Sequence, residues 1–218
     1  MDFQDLQYRD REYIANTYNR FQTDIISGKG AKLVSSSGKE YIDFASGIAV
    51  NTFGVNDEAW KQAITNQINK VQHACNLYYT EPQVQLAEML CEKTGAKKVF
   101  FSNSGAEANE CAIKAARKYS SDKYGAGRYE IVTLKNSFHG RTLATLSATG
   151  QDVMHKHFSP FLPGFIYADP TYEGVRKACT VRTCAVMLEL VQGESGVNVL
   201  DIEEVEKIAL FCKKNDIL

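Results

Sequence analysis

Proline is scarce in this chain, with four in 218 residues, so few positions forbid a helix or a central strand. There is no excess of charge of either sign: the formal net charge is −1, which argues against a general nucleic-acid or membrane-surface binder and leaves room only for a local basic patch. No hydrophobic run approaches the length of a membrane-spanning helix. The first residues, Met1-Asp-Phe-Gln-Asp5, are acidic and polar, unlike a secretory signal. No internal repeat and no low-complexity segment breaks the pattern. The six cysteines, at 75, 91, 111, 179, 184 and 212, form no C-x-x-C pair. Cys111 and Cys212 fall on apolar helical faces and read as small core residues, and the set reads as thiols in a reducing cytosol rather than as a disulfide framework. Neither a Gly-x-Ser-x-Gly elbow nor a Walker-type Gly-Lys-Ser/Thr loop is present.

What remains is the composition of a globular α/β protein. Hydrophobic residues make up 44% and charged residues 23%, enough apolar surface to bury a real core. Residues 1–20 read as a polar arm or helix with Leu6, Tyr13, Ile14 and Tyr18, and residues 31–44 as two short strands around a Ser/Gly turn. The spacing of Trp60, Ile64, Ile68 and Val71 predicts a helix from Asp57 to Gln72. Thr80 and Gln83 form a capping-box pattern, with Pro82 in the first turn of the helix that carries Leu86, Met89 and Leu90. Strands are expected at 130–134, 165–168 and 184–188, and a last helix from Asp201 with Val205, Ile208, Ala209 and Cys212 on one side. Strands alternating with helices predict a mostly parallel sheet with helices on both faces. A subdomain boundary is expected around 55–75, and Ile217-Leu218 reads as the start of another buried strand, as in a truncated polypeptide.

Three segments carry chemistry. In the first, Val99, Phe100 and Phe101 read as a short buried strand leading into a helix. Ser104 and Glu107 have capping-box spacing, and Ala108, Cys111, Ala112, Ala115, Ala116 and Tyr119 lie on one expected core face. The first N–H groups of such a helix lack intrahelical partners, and Gly105 and Ala106 would let an anion approach them. The same residues also describe an ordinary capped core helix. The second segment, Phe138-His-Gly-Arg-Thr142, combines an aromatic for stacking with a guanidinium that can grip a carboxylate, or is a polar loop with one packed aromatic. The third, Glu189 to Val197, sets two acids and two glycines at the carboxyl end of a strand, where open α/β sheets bind ligands, or is a turn with solvated acids. His155-Lys-His157 lacks a further ligand and reads as surface, not as a metal site; His73 and Cys75 read as structural.

Taken in order, Ser104-Gly-Ala-Glu-Ala-Asn-Glu110, Phe138-His-Gly-Arg-Thr142 and Gln192-Gly-Glu-Ser-Gly-Val197 resemble the class III pyridoxal-phosphate aminotransferases. Ala45-Ser-Gly-Ile-Ala-Val-Asn51 and Leu77-Tyr-Tyr-Thr-Glu-Pro82 are most similar to the acetylornithine-acting branch, and the resemblance runs from about residue 15 to the end. It implies a fold type I architecture, with 1–60 as an N-terminal segment of the small domain and 61–218 as the first, incomplete part of the large cofactor-binding domain. It implies transfer of the δ-amino group of N-acetylornithine to 2-oxoglutarate by a cytoplasmic homodimer using pyridoxal 5′-phosphate, in arginine biosynthesis. Ornithine, succinylornithine and 4-aminobutyrate aminotransferases are the close alternatives; a non-catalytic module for a phosphorylated ligand and a purely structural domain are the alternatives of other classes.

By the same resemblance, Ser104, Gly105 and Ala106 would hold the cofactor phosphate, Phe138 would stack on the ring with His139 behind it, and Glu189 would lie near the cofactor. Arg141 would bind the substrate α-carboxylate, and Glu194 would be the acid that switches partners between half-reactions. Asn51 and Tyr79 would line the substrate entrance. Two departures stand out. Val55-Asn-Asp-Glu-Ala59 replaces the family's His and Pro after Phe53-Gly54. The aspartate for the pyridinium nitrogen and the Schiff-base lysine would come after Leu218, so no catalytic residue is assigned among these residues. The 218 residues alone are therefore expected to lack transaminase activity.

Overall fold

The computed structural model describes all residues, Met1–Leu218, as two compact units, Met1–Leu86 and Ala87–Leu218. In the first unit, α1 (Phe3–Tyr13) starts at Asp2, whose carboxylate accepts the Asp5 N–H. Three strands, β1 (Ser27–Lys29), β2 (Lys32–Val34) and β3 (Glu40–Ile42), form an antiparallel sheet in register Ser27↔Val34 and Leu33↔Tyr41. The last two are the pair expected around the Ser/Gly turn. The turn α2 (Ser46–Ala49) is left-handed, with φ of 48°, 63°, 61° and 60° along its four residues.

The helix expected over 57–72 is shorter: α3 spans Glu58–Ile68, capped by Asp57. None of its residues is buried, and Trp60, Ile64 and Ile68 are all exposed. Its apolar stripe is thus a face without a partner in this unit. The next helix, α4 (Glu81–Thr94), spans the junction of the units. Thr80 Oγ1 donates to Gln83 Oε1 at 3.4 Å, a side-chain contact in place of the full expected capping box.

The second unit is the α/β layer. Its strands β4 (Glu130–Leu134), β5 (Phe165–Ala168) and β6 (Thr183–Met187) are all parallel, in the order β5-β4-β6. They fall within a residue of the expected positions. The pleat of β4 sends alternate side chains to opposite faces. On one face Ile131 packs with Ile113 and Ala116 of α5 (Gly105–Tyr124) and with Ala148 of α6 (Leu143–Ala148). On the other, Val132 and Leu134 pack with Val175, which lies on a helix that follows β5, and with Ile208 and Cys212 near the end of the chain. The short α7 (Asp152–His155) precedes that helix, α8 (Tyr172–Ala178). A two-stranded ribbon, β7 (Val191–Gln192) and β8 (Asn198–Val199), leads into α9 (Ile202–Lys214), which starts at Asp201 as expected. Leu218 adds to β6: its N–H donates to Cys184 O, and the Val186 N–H donates to Leu218 O.

Three expectations are corrected. Val99–Phe101 is not a buried strand: no backbone hydrogen bond joins it to a strand, and Phe100 is exposed. Apolar content marks a strand candidate, but a strand exists only where another backbone pairs with it. The core face of α5 is Ile113, Ala116 and Ser120, while Ala108, Ala112, Ala115 and Tyr119 are exposed. Two stripes of small residues overlap on this helix, and the bulkier Ile113 turns its own stripe toward the sheet. His155 is half-buried rather than on the surface, with its ring 4.7 Å from Phe161 and Nε2 3.0 Å from Leu146 O. His73 and Cys75 are exposed, all six cysteines are free, and no cluster of three potential metal ligands exists. No helix is long and apolar enough to cross a membrane.

Candidate functional site

At the start of α5, Ser104 adopts an extended conformation and its Oγ accepts the Glu107 N–H at 3.2 Å. The Glu107 carboxylate reaches one residue further back than a standard box and accepts the Asn103 N–H at 2.8 Å. Hydrogen bonds from Asn103, then from Ser104, hold the exposed Glu107 carboxyl below its ordinary range. The first intrahelical bond runs from Ala108 N–H to Ser104 O, so the N–H groups of Gly105 and Ala106 precede the ladder. A Cβ built on Gly105 would meet nothing within 4 Å, so this helix start is open to a ligand.

The loop that follows β4 lies against the same helix start. Gly140 has φ +127°, and a Cβ there would fall 2.6 Å from Thr145 Oγ1 and 2.8 Å from the Ala106 Cβ. Only glycine allows this approach. Side chains from separate elements hold the loop's peptide groups. The Phe138 N–H donates to Glu189 Oε2 at 2.9 Å, and the His139 N–H to Thr149 Oγ1 at 3.0 Å. Asn109 Nδ2 donates to the His139 carbonyl at 2.8 Å. Thr142 caps α6 in a reciprocal box with Thr145 and also donates to Glu110 Oε1 at 2.5 Å.

Within this frame His139 is buried, 4% exposed, and its Nε2 has no hydrogen-bond partner. Burial pulls its pKa down to about 4, so the ring is neutral near pH 7. Phe138 is half-buried and Arg141 exposed. Glu189, half-buried beyond β6, has its carboxyl pushed up by burial; the Phe138 N–H opposes this and the Glu194 charge adds to it. Glu194 accepts from Gln151 Nε2 at 2.7 Å, and Gln151 also reaches Ser137 O at 3.2 Å. Buried Gln192 donates to Lys135 O at 2.9 Å.

The second unit therefore gathers Ser104, Gly105, Ala106, Phe138, His139, Arg141, Glu189 and Glu194 around the carboxyl ends of β4 and β6. Their chemistry is that of a site for a flat, phosphorylated molecule next to a carboxylate. An open helix N-terminus, an aromatic, an exposed guanidinium and an orphaned buried imidazole nitrogen match pyridoxal phosphate in charge and chemical type. Asn51 and Tyr79 belong to the first unit: Asn51 follows α2, and Tyr79 is fully exposed before α4. Sequence reasoning gave no role to Asn109, Thr149 and Gln151. Asn109 had a visible signal, since it lies one helical turn beyond Gly105.

The family model described as aminotransferase class-III matches residues 13–218. Acetylornithine aminotransferase of Haemophilus ducreyi is 47% identical over 211 residues, covering 96% of this chain and 54% of that protein. The protein of the same name from Wolinella succinogenes is 49% identical over 211 residues, covering 96% and 53%. Among solved structures, ornithine aminotransferase of Toxoplasma gondii superposes with a TM-score of 0.93 at 26% identity, over 100% of this chain and 52% of that one. N-acetylornithine aminotransferase of Stenotrophomonas maltophilia gives 0.79 at 33% identity, over 97% and 51%. The chain spans about half the length of the curated relatives it matches.

Proposed function

The chain belongs to the class III aminotransferases, and from that premise we propose that its gene product transfers the δ-amino group of N-acetylornithine to 2-oxoglutarate, with pyridoxal 5′-phosphate as cofactor. The observation that carries this reading is the convergence of the open α5 start, the Phe138–Thr142 loop and Glu189 on one end of the parallel sheet. The choice of donor rests on relatives of 40–49% identity that bear the acetylornithine aminotransferase name.

In this reading Ser104, Gly105 and Ala106 take the cofactor phosphate at the helix start, where free N–H groups and the helix dipole favour an anion. Phe138 lies against the pyridine ring. His139 backs it as a neutral group, so no positive charge sits behind the aromatic. Glu189 holds the Phe138 peptide and borders the cofactor. Arg141 receives the substrate α-carboxylate through paired hydrogen bonds. Glu194, steadied by Gln151, is the acid that changes partner between the two half-reactions. When bound, pyridoxal phosphate supplies an electron sink for the carbanion formed at the amine carbon.

In the same reading, 1–60 is an N-terminal segment of the small domain and 61–218 the first, incomplete part of the large cofactor-binding domain. A cytosolic homodimer belongs to the same reading, and six free thiols suit a reducing compartment.

The test compares initial rates of the natural gene product, supplied with pyridoxal phosphate and 2-oxoglutarate, on four donors. N-acetylornithine is expected to be fastest, ahead of ornithine, succinylornithine and 4-aminobutyrate. A preference for 4-aminobutyrate would overturn the donor assignment, and absence of transfer from every donor would overturn the activity.

A further inference from the structure

The peptide groups around His139 are fixed from three directions. Glu189, beyond β6, takes the Phe138 N–H. Thr149, at the end of α6, takes the His139 N–H. Asn109 gives its amide proton to the His139 carbonyl. Of these three, only Asn109 stands on the helix whose first turn forms the anion site. It lies four residues after Gly105, one turn along the same helix. The approach of Gly140 to Ala106 leaves no slack between the two elements, and the Glu110–Thr142 bond adds a tie one residue further on.

A phosphate needs only the helix start. A ligand with both a phosphate and an aromatic ring also needs Phe138 at a set distance from that start. The Asn109 bond crosses this gap and ends on the carbonyl one residue after Phe138. We propose that Asn109 is a positioning residue that holds the Phe138–Arg141 loop in register with the anion-binding start of α5, and so selects ligands that join a phosphate to a planar ring. This rests on the aminotransferase reading of the site and adds to it a residue for which ring and phosphate are recognised as a pair.

The experiment uses the natural gene product freed of cofactor, in wild-type, Asn109→Ala and Asn109→Asp forms. Each is titrated calorimetrically with pyridoxine 5′-phosphate, which cannot bond covalently to a lysine, and separately with inorganic phosphate. Removing one hydrogen bond of this kind is expected to raise the pyridoxine 5′-phosphate Kd about tenfold, with inorganic phosphate within about twofold of wild type. An unchanged pyridoxine 5′-phosphate Kd would overturn the proposal. So would an equal loss for both probes, because that pattern means α5 itself is disturbed. Should the alanine variant fail to fold, the aspartate variant, of nearly the same volume but without the donor, is judged by the same criteria. If wild type binds neither pyridoxine 5′-phosphate nor pyridoxal phosphate, the functional reading falls as well; if wild type binds and the variants match it, only the role of Asn109 falls.

Discussion

His139 shows how one buried side chain can link the site to pH. Its folded pKa is about 4, against 6.5 for an unhindered histidine, because burial disfavours the charged ring. Above pH 6.5 both folded and unfolded forms are neutral, and the contribution to stability is fully present. As pH falls toward 4, the unfolded chain takes up a proton that the folded one refuses, so stability drops. The loss by pH 5 is roughly 2 kcal/mol, an order-of-magnitude figure from linkage. Urea midpoints of wild type and His139→Gln at pH 7.5 and pH 5 check this. The wild-type midpoint is expected to fall more than that of the variant, and equal falls would remove His139 as the source.

At the scale of elements, the two ends of the parallel strands do different work. The carboxyl ends carry the residues proposed for the site. Near the amino ends lies Arg128, two residues before β4. Its Nε donates to Thr183 O at 2.9 Å, its Nη2 to Asn215 O and Asp216 O at 3.1 and 2.8 Å, and its guanidinium lies 4.3 Å from the Tyr124 ring centre. One side chain thus ties the end of α5, the start of β6 and the end of α9. Arg128→Met is expected to cost roughly 2 kcal/mol, since it removes charge-assisted hydrogen bonds to several carbonyls. Pyridoxal phosphate affinity should not change, because the proposed site is at the other end of β4. A thermal midpoint and a cofactor titration on the same sample test both halves; weakened cofactor binding at an unchanged midpoint would contradict the division of labour.

At the scale of the whole chain, exposed apolar surface is the dominant fact. Each unit carries such surface: the α3 stripe of Trp60, Ile64 and Ile68 in the first, and the exposed alanine face of α5 with Tyr119 in the second. Apolar faces of this kind favour association. Residues 1–218 expressed by themselves are expected to self-associate with rising concentration, as read by light scattering, and to show no transaminase turnover. A monodisperse monomer across the micromolar range would contradict the first expectation, and turnover by the pure polypeptide the second.

The amino-acid sequence by itself determined the features set by neighbours along the chain. The three parallel strands, the Asp201 start of α9, the Ser104 cap and the residue types of the site are all encoded within a few positions of one another, where side-chain period and cap chemistry act. It also carried the family resemblance through three short ordered motifs. Only the tertiary structure decided which small-residue stripe of α5 meets the sheet, that Val99–Phe101 has no strand to pair with, that α3 buries none of its apolar face, and that Asn109, Thr149 and Glu189 converge on one loop. Each of these depends on contacts between residues distant in sequence. Alanine and serine fit a buried or an exposed stripe equally well, so the packing of larger neighbours such as Ile113, rather than the local pattern, sets the rotation of the helix.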